Sequence, residues 1–197
     1  VVGAAGELFS IRRKLYVPVP KSSLVDDFMI SLRIAEKGYK IVYEPKAYAM
    51  EYSSATVQEE YKRKVRIAAG GMQSIIWLRR LLLPWPQPVL WFQYVSHRVL
   101  RWTITPFLMV AMLLINALIV VQAKASSIYH PILVLQILFY SMALAGWYFE
   151  NKAIKIKALF IPYYFCMMNT AVVAGIFRYF GGKQSVQWDK AKRKTTL

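Results

Sequence analysis

Residues 104–121 read ITPFLMVAMLLINALIVV and contain no charged side chain, with Asn116 as their strongly polar interruption. Two further apolar stretches follow at 131–149 and 158–180. Each stretch is close to the length of about 20 residues that an α-helix needs to cross a hydrocarbon core of about 30 Å. The alternative is a set of helices buried in a large soluble core, which requires more surrounding protein than 197 residues provide. The pattern predicts an α-helical transmembrane region of two or three spans within residues 103–182.

The chain carries a net charge of +16, from 26 Lys and Arg against 10 Asp and Glu. Nucleic-acid binding could explain this charge, but the basic residues gather beside apolar segments, so attraction to anionic lipid headgroups explains them better. The loop 122–130 has one lysine and the loop 151–157 has three, which predicts that the second faces the cytoplasm. The side reached by the basic tail, 183–197, stays open because the third stretch contains Pro162 and Arg178.

The part of the chain before residue 56 has the rhythm of an α/β sheet. A helix is predicted to begin at Asp26, as its N-cap, and to end before Gly38. YKIVYEP (39–45) and KAYAMEY (46–52) read as extended pieces rich in β-formers. Strand and helix in alternation predict an α/β fold for this part.

Residues 56–102 form the transition to the membrane region. Thr56 followed by Glu59 is a capping-box pattern, which predicts the start of a helix. A second amphipathic segment, VLWFQYVSHRVLRW (89–102), carries the Trp and Tyr residues that favour a membrane interface. We therefore expect two interfacial helices here, ahead of the spans.

Asp26 and Asp27 are adjacent carboxylates at the predicted start of a helix. They can act as helix-capping groups that interact with backbone N–H groups and the positive helix end. Alternatively, one of them can be a general base that removes a proton from a hydroxyl group. The pair alone does not decide between these roles.

Several motifs, in order, resemble the second half of a membrane-bound family 2 glycosyltransferase, the class of the cellulose-synthase-like and hyaluronan-synthase-like enzymes. The motifs are GAAGELFSIRR (3–13), VDDFMISLRIAEKGYKIVYEPKAYAMEY (25–52) and EEYKRKVRIAAGGMQS (59–74), followed by the apolar stretches. The Thr-Glu-Asp motif of that family matches Val25-Asp26-Asp27, and its Gly-Tyr and Tyr-Glu-Pro signals match Gly38-Tyr39 and Tyr43-Glu44-Pro45. The resemblance implies that residues 1–55 are the C-terminal part of a GT-A-like α/β catalytic domain.

The resemblance also implies a chemistry. It implies an inverting, metal-dependent transfer of a sugar from a nucleotide-sugar donor, with Asp27 as the base and Asp26 in place of the usual Glu. The small residues Gly3, Ala4, Ala5 and Gly6, here called the glycine loop, match a loop on the acceptor side of such enzymes. The acceptor would be a glycan or a lipid-linked molecule, as in polysaccharide biosynthesis.

The family's Gln-x-x-Arg-Trp motif falls on residues 63–67. Arg66 keeps the arginine, whereas Arg63 replaces the Gln and Ile67 replaces the Trp. The resemblance implies that Arg66, Arg63 and Lys64 bind the donor diphosphate and the acceptor, where cations stabilise the charge of the leaving group. The alternative is a solvated or lipid-facing basic helix. Loss of the Trp removes a stacking platform and makes processive synthesis doubtful.

The Asp-x-Asp motif that binds the metal in this family is missing from the sequence. We therefore expect a fragment that lacks the donor-binding half and is inactive alone, with the Mg or Mn ligands elsewhere in a complete hexosyltransferase. The expected location is the cell (inner) membrane, with several spans and a cytoplasmic catalytic part. Expected partners are membrane lipids, the nucleotide sugar and the acceptor, and no nucleic acid. The alternative function is a non-catalytic membrane protein that binds anionic lipid or a partner through its basic helices.

Overall fold

A computed structural model describes the chain as two compact units, one of residues 1–103 with 171–197 and one of residues 104–170. The described residues are 3–4, 6–51, 54–122, 128–152 and 156–182. The basic tail, 183–197, lies outside them. The domain limits expected from the sequence stay predictions.

The described residues are predominantly helical. The α-helices, in chain order, are α1 (Asp26–Glu36), α2 (Val57–Trp77), α3 (Pro88–Tyr94), α4 (Leu100–Trp102), α5 (Thr105–Gln122), α6 (Tyr129–Asn151) and α7 (Lys157–Phe180). A π-helical turn, Val95–Val99, joins α3 to α4. Two 3₁₀ turns, Arg13–Leu15 and Arg79–Leu82, complete the regular structure of the described residues.

The predicted α/β fold is wrong for the residues that the structure describes. About 70% of them are helical and they contain no strand or sheet, so the GT-A-like part expected at residues 1–55 is not seen. The predicted strand 39–45 runs without a ladder partner, and Val42 and Tyr43 are 81% and 71% exposed. Alternating β-formers show only that a segment can extend, because a strand also needs the N–H and C=O groups of a neighbouring strand.

The helix starts read from the sequence are observed, with one difference. α2 begins after Thr56, whose hydroxyl accepts a hydrogen bond from the Glu59 N–H at 3.2 Å, as the capping pattern predicts. α1 begins at Asp26, but its N-cap is Val25, so the prediction that Asp26 is the cap is wrong. Asp26 instead lies in the first helical turn, where a negative charge still complements the helix dipole.

The core of the first unit forms where α1, α2 and the segment 88–102 meet. Its buried members are Phe28, Met29, Leu32, Met72, Ile75, Leu78, Leu81, Tyr94 and Trp102. α2 approaches its neighbours closely because two of its positions lack a side chain. A Cβ atom at Gly70 would lie 2.9 Å from a methyl group of Val25, and one at Gly71 would lie 2.5 Å from the Trp102 ring.

A buried amide fixes the segment that leads into α1. Gln73 of α2 accepts a hydrogen bond from the Leu24 N–H at 2.9 Å and donates one to the Ser22 carbonyl at 2.8 Å. Buried polar groups are costly unless they are paired, so these two bonds hold this segment in one position against α2. The backbone just ahead of Asp26 and Asp27 is thereby anchored to α2.

The second unit is apolar on its outside. Three helices among the described residues are long and apolar enough to cross a membrane: Thr105–Gln122, Tyr129–Glu150 and Lys157–Phe180. The last of these belongs to the second unit only up to residue 170. Asn116 donates to the Gln136 side-chain carbonyl at 2.9 Å, and the Tyr140 hydroxyl donates to the Met109 carbonyl at 3.2 Å, which joins α5 to α6. Gly146 of α6 lies against the Leu159 backbone, an approach that a side chain would block. Close approach at small residues and polar pairs between helices are typical of membrane helix packing.

Candidate active site

Asp27 differs from Asp26 in its surroundings, although the two are adjacent. Asp26 is exposed, whereas Asp27 is partly buried. Burial raises the pKa of Asp27, and the negative charges of Glu7 and Asp26 act in the same direction, although hydrogen bonds from the backbone N–H groups of Phe28 and Asp27 oppose the rise. A carboxylate with a raised pKa accepts a proton from a hydroxyl group more readily than an ordinary Asp.

The glycine loop lies across the first turns of α1. The Ala4 N–H donates to the Ser31 hydroxyl at 2.9 Å, and that hydroxyl donates to the Phe28 carbonyl at 3.0 Å. Gly3 adopts φ +83°, which favours glycine, and packs against the Phe28 ring. Ala5, which belongs to the predicted loop, lies outside the described residues.

Gly6 lies beside the Asp27 carboxylate. A Cβ atom at Gly6 would be 3.1 Å from Oδ2 of Asp27, so any side chain here would crowd the carboxylate. The structure therefore brings the glycine loop against α1, with Gly3 at Phe28, Ala4 at Ser31 and Gly6 at Asp27. On the Gly6 side, the Asp27 carboxylate therefore faces backbone and not a side chain.

The basic residues of α2 are already engaged with acidic ones. Both side-chain nitrogens of Arg63 that face Glu60, Nε and Nη2, donate to its carboxylate at 3.0 Å, and Lys64 Nζ lies 3.4 Å from the same group. Ser54 also donates to Glu60, at 2.6 Å. Partial burial opposes ionisation of Glu60, but the hydrogen bonds from Arg63 and Ser54 lower its pKa to about 2.

Acidic residues other than Glu60 also affect the pKa of Arg63. Its pKa is raised, first by the hydrogen bond to Glu60 and, further down in size, by the charges of Glu51 and Glu7. Glu7 therefore acts electrostatically on both Asp27 and Arg63. Arg66 is partly buried one turn further along α2, on the side of the helix that it shares with Arg63. The predicted binding roles of Arg66, Arg63 and Lys64 stay predictions.

Arg98 is a residue of this site that the sequence analysis did not identify. Its guanidinium lies 5.2 Å from the centroid of the Phe28 ring and 5.5 Å from that of Trp102. Burial lowers the pKa of Arg98, whereas the charge of Asp27 raises it. Its spacing of four residues from Tyr94 and from Trp102 was the available signal, because residues four apart share a helix face.

The described residues do not supply a metal site. They contain no group of three or more His, Cys, Asp or Glu side chains that could hold an ion. The acidic side chains near Asp27 therefore do not fit a divalent cation, and the chemistry below is derived without one.

The comparison with known families gives a clear result. The sequence model described as glycosyl transferase family group 2 matches residues 2–174. The chain belongs to this family. No curated protein and no solved structure matches the chain.

Membership in glycosyl transferase family group 2 identifies glycosyl transfer as the general chemistry. The match covers both the Asp27 region and the apolar helices up to residue 174. Membrane association agrees with the three helices that are long and apolar enough to span a bilayer.

Proposed function

We propose that this glycosyltransferase moves a sugar from a nucleotide-sugar donor to a glycan or lipid-linked acceptor at the cytoplasmic face of the inner membrane. The observation that carries the proposal is the Asp27 carboxylate, partly buried and facing the glycine loop at Gly6. An enzyme that activates a hydroxyl nucleophile needs a base within hydrogen-bond reach of that hydroxyl. The three candidate spans support the location at a membrane.

Asp27 is the proposed general base. Its carboxylate takes the proton from the acceptor hydroxyl as the oxygen of that hydroxyl forms a bond to the anomeric carbon of the sugar. The bond from that carbon to the donor phosphate breaks, and its electron pair leaves with the nucleoside diphosphate. The raised pKa of Asp27 suits this step because it brings the pKa closer to neutral pH. The protonated Asp27 then returns its proton to water.

The basic face of α2 is the proposed partner of the leaving diphosphate. Arg63 and Lys64 share the single negative charge of Glu60, so the three side chains carry one net positive charge. Arg66 adds a second cation on the same helix. Positive charge fixed in advance stabilises the charge that develops on a leaving phosphate.

The test is the substitution Asp27→Asn in the complete enzyme. Transfer of labelled sugar to membrane-bound product should fall at least about 100-fold, because the amide cannot accept the proton. The matched control is Asp26→Asn, which removes an exposed charge from the same turn and should change the rate far less. Full activity of Asp27→Asn, at an unchanged amount of folded protein, would disprove the assignment of the base.

A second candidate function is binding of anionic lipid, and the turn after α2 favours it. Arg79 and Arg80 are exposed beside Leu83 and Trp85, which are 65% and 83% exposed. Cations next to exposed apolar side chains suit the headgroup level of an anionic membrane. The chain has six tryptophans, so the signal of Trp85 is taken as the difference in fluorescence between the unchanged chain and Trp85→Phe. In lipid nanodiscs, brominated anionic lipid should quench this signal more than brominated zwitterionic lipid. The double substitution Arg79→Gln and Arg80→Gln should remove that difference.

A further inference from the structure

Phe28, the residue that follows Asp27, is enclosed by two other parts of the first unit. A Cβ atom at Gly3 would overlap the Phe28 ring, so the glycine loop lies directly against it. The Tyr94 ring stacks on it with 6.4 Å between centroids, and the Trp102 ring meets it edge-on at 5.4 Å. Phe28 is 5% exposed. Its backbone N–H, which hydrogen-bonds the Asp27 carboxylate, is therefore held in a fixed place.

Arg98, which belongs to the segment 88–102, lies against the Phe28 and Trp102 rings. Its guanidinium lies within cation–π distance of both Phe28 and Trp102, since such contacts are significant within about 6 Å. The backbone that carries it is the π-helical turn Val95–Val99. Such turns inside helices are rare and are found frequently at functional sites, because they re-aim the side chains that follow.

The charge of Arg98 acts on Asp27. Partial burial lowers the pKa of Arg98, Arg101 lowers it further, and the negative charge of Asp27 raises it. An electrostatic attraction is mutual, so Arg98 favours the ionised form of Asp27. Glu7 and Asp26 have the opposite effect and favour the protonated form of Asp27.

α2 contributes to this balance indirectly. Its Arg63 interacts with Glu7 and forms an ion pair with Glu60. Arg98 therefore opposes the effect of two carboxylates, Glu7 and Asp26, on the pKa of Asp27. A guanidinium suits this position because it stays charged when partly buried, and its flat face stacks on rings while its edge remains able to donate.

We propose that Arg98 is a positioning residue for Asp27, which holds the carboxylate ionised and oriented toward the glycine loop. This inference rests on the proposed role of Asp27 as the base. It makes the segment 88–102 part of the active site. The outer face of that segment exposes Val89 and Phe92 at 70% and 61%, so one short segment presents apolar side chains outward and supports the base inward.

The direct test is a titration of Asp27 in the full 197-residue chain in lipid nanodiscs. The sequence contains three Asp residues, so ¹³C labelling of Asp carboxylates gives three signals, which Asp26→Asn and Asp27→Asn assign. In Arg98→Gln the pKa of Asp27 should rise by up to about one unit, because the loss of a nearby opposite charge favours the protonated carboxyl group. Arg98→Lys should recover part of this shift, since it restores the charge without the planar group.

The control and the second variant keep the test decisive. Arg13→Gln removes an exposed arginine from the 3₁₀ turn Arg13–Leu15 of the same unit and should leave the titration of Asp27 unchanged. If Arg98→Gln does not fold, Arg98→Met replaces it, because a methionine fits among the aromatic rings without a charge. An Asp27 titration that is unchanged in the neutral variants at Arg98 would overturn the proposal, as would an equal shift in Arg13→Gln.

In the complete enzyme, the acid limb of the pH–rate profile should move to higher pH in Arg98→Gln by the same amount. The rate on the plateau at high pH should change less, because Asp27 is ionised there in both proteins. Different results would disprove the role of Asp27 as the base and the role of Arg98 as its positioning residue. Retained transfer in Asp27→Asn disproves the base, whereas an unshifted Asp27 titration in Arg98→Gln disproves only the role of Arg98.

Discussion

The two units are both helical, but they use polar side chains differently. In the first unit, the buried amide of Gln73 binds the backbone ahead of α1, and charged residues of α2 form ion pairs on one face. In the second unit, only 11% of the residues in the candidate spans of α5 and α6 are buried, and the apolar side chains face outward. A helix with an apolar outside requires hydrocarbon around it, whereas an amphipathic one requires a protein core. The chemistry is therefore expected in the first unit, and anchoring in the second.

The largest expected effect tests whether the first unit is packed like the interior of a soluble protein. In Gly71→Ala, the new methyl group would lie 2.5 Å from the Trp102 ring, which is itself part of the core. Overpacking of this kind costs about 3 kcal/mol of unfolding free energy. Thermal unfolding in mild detergent, monitored by the near-ultraviolet circular dichroism of the tryptophan side chains, measures the loss of unfolding free energy.

A compensating substitution separates overpacking from a general effect on the helix. Trp102→Phe makes room at the contact, so the double variant Gly71→Ala and Trp102→Phe should be more stable than the sum of the single changes predicts. Additive losses in this double-mutant cycle would show that the two residues do not contact each other.

Local signals explain which parts of this structure were predictable. The starts of α1 and α2 depend on residues within one helical turn, such as Thr56 and Glu59, and the sequence analysis placed both. The apolar stretches were equally clear because their length alone decides the prediction. These features need no knowledge of distant contacts.

The errors and omissions concern partners that are distant in sequence. The extended segment 39–45 has the composition of a strand, but a sheet needs a second strand, which the pattern within one segment cannot show. Arg98 lies 70 positions beyond Phe28, so its place over that ring depends on how α1 and the segment 88–102 pack. The family resemblance implied only that the glycine loop lies on the acceptor side, and the position of Gly6 beside Asp27 could not be read from the sequence.

An intermediate effect concerns the ion pairs of the first unit and their dependence on pH. Glu60 has a pKa of about 2, below its ordinary 4.5, and its side chain is 14% exposed. Because the ionised form is favoured in the folded state, its contribution is complete above pH 4.5 and is lost as the pH falls toward 2. Glu60→Gln should lower the unfolding free energy at neutral pH by about 2 kcal/mol and reduce the loss of stability in acid.

The neighbouring pair provides the control for Glu60. Glu59 contacts Lys62 at 2.9 Å, but the lysine side chain is 72% exposed. An exposed pair of this kind contributes less than about 1 kcal/mol, so Glu59→Gln should have a small effect in the same urea titrations at neutral and acidic pH. Equal losses for the two substitutions would mean that burial of the Glu60 carboxylate contributes nothing.

The smallest expected effect lies in the second unit and tests its membrane character. Asn116 is 6% exposed and donates to Gln136 across the α5–α6 contact. In Asn116→Leu this bond is lost, but polar pairs between membrane helices contribute only about 0.6 kcal/mol, because the separated helices also find partners within the bilayer. Unfolding by a titration of sodium dodecyl sulfate measures the change, with Gln136→Leu and the double variant completing the cycle. A coupling above about 2 kcal/mol would instead indicate a pair in a protein core, as in the first unit, and would remove the distinction between the two units.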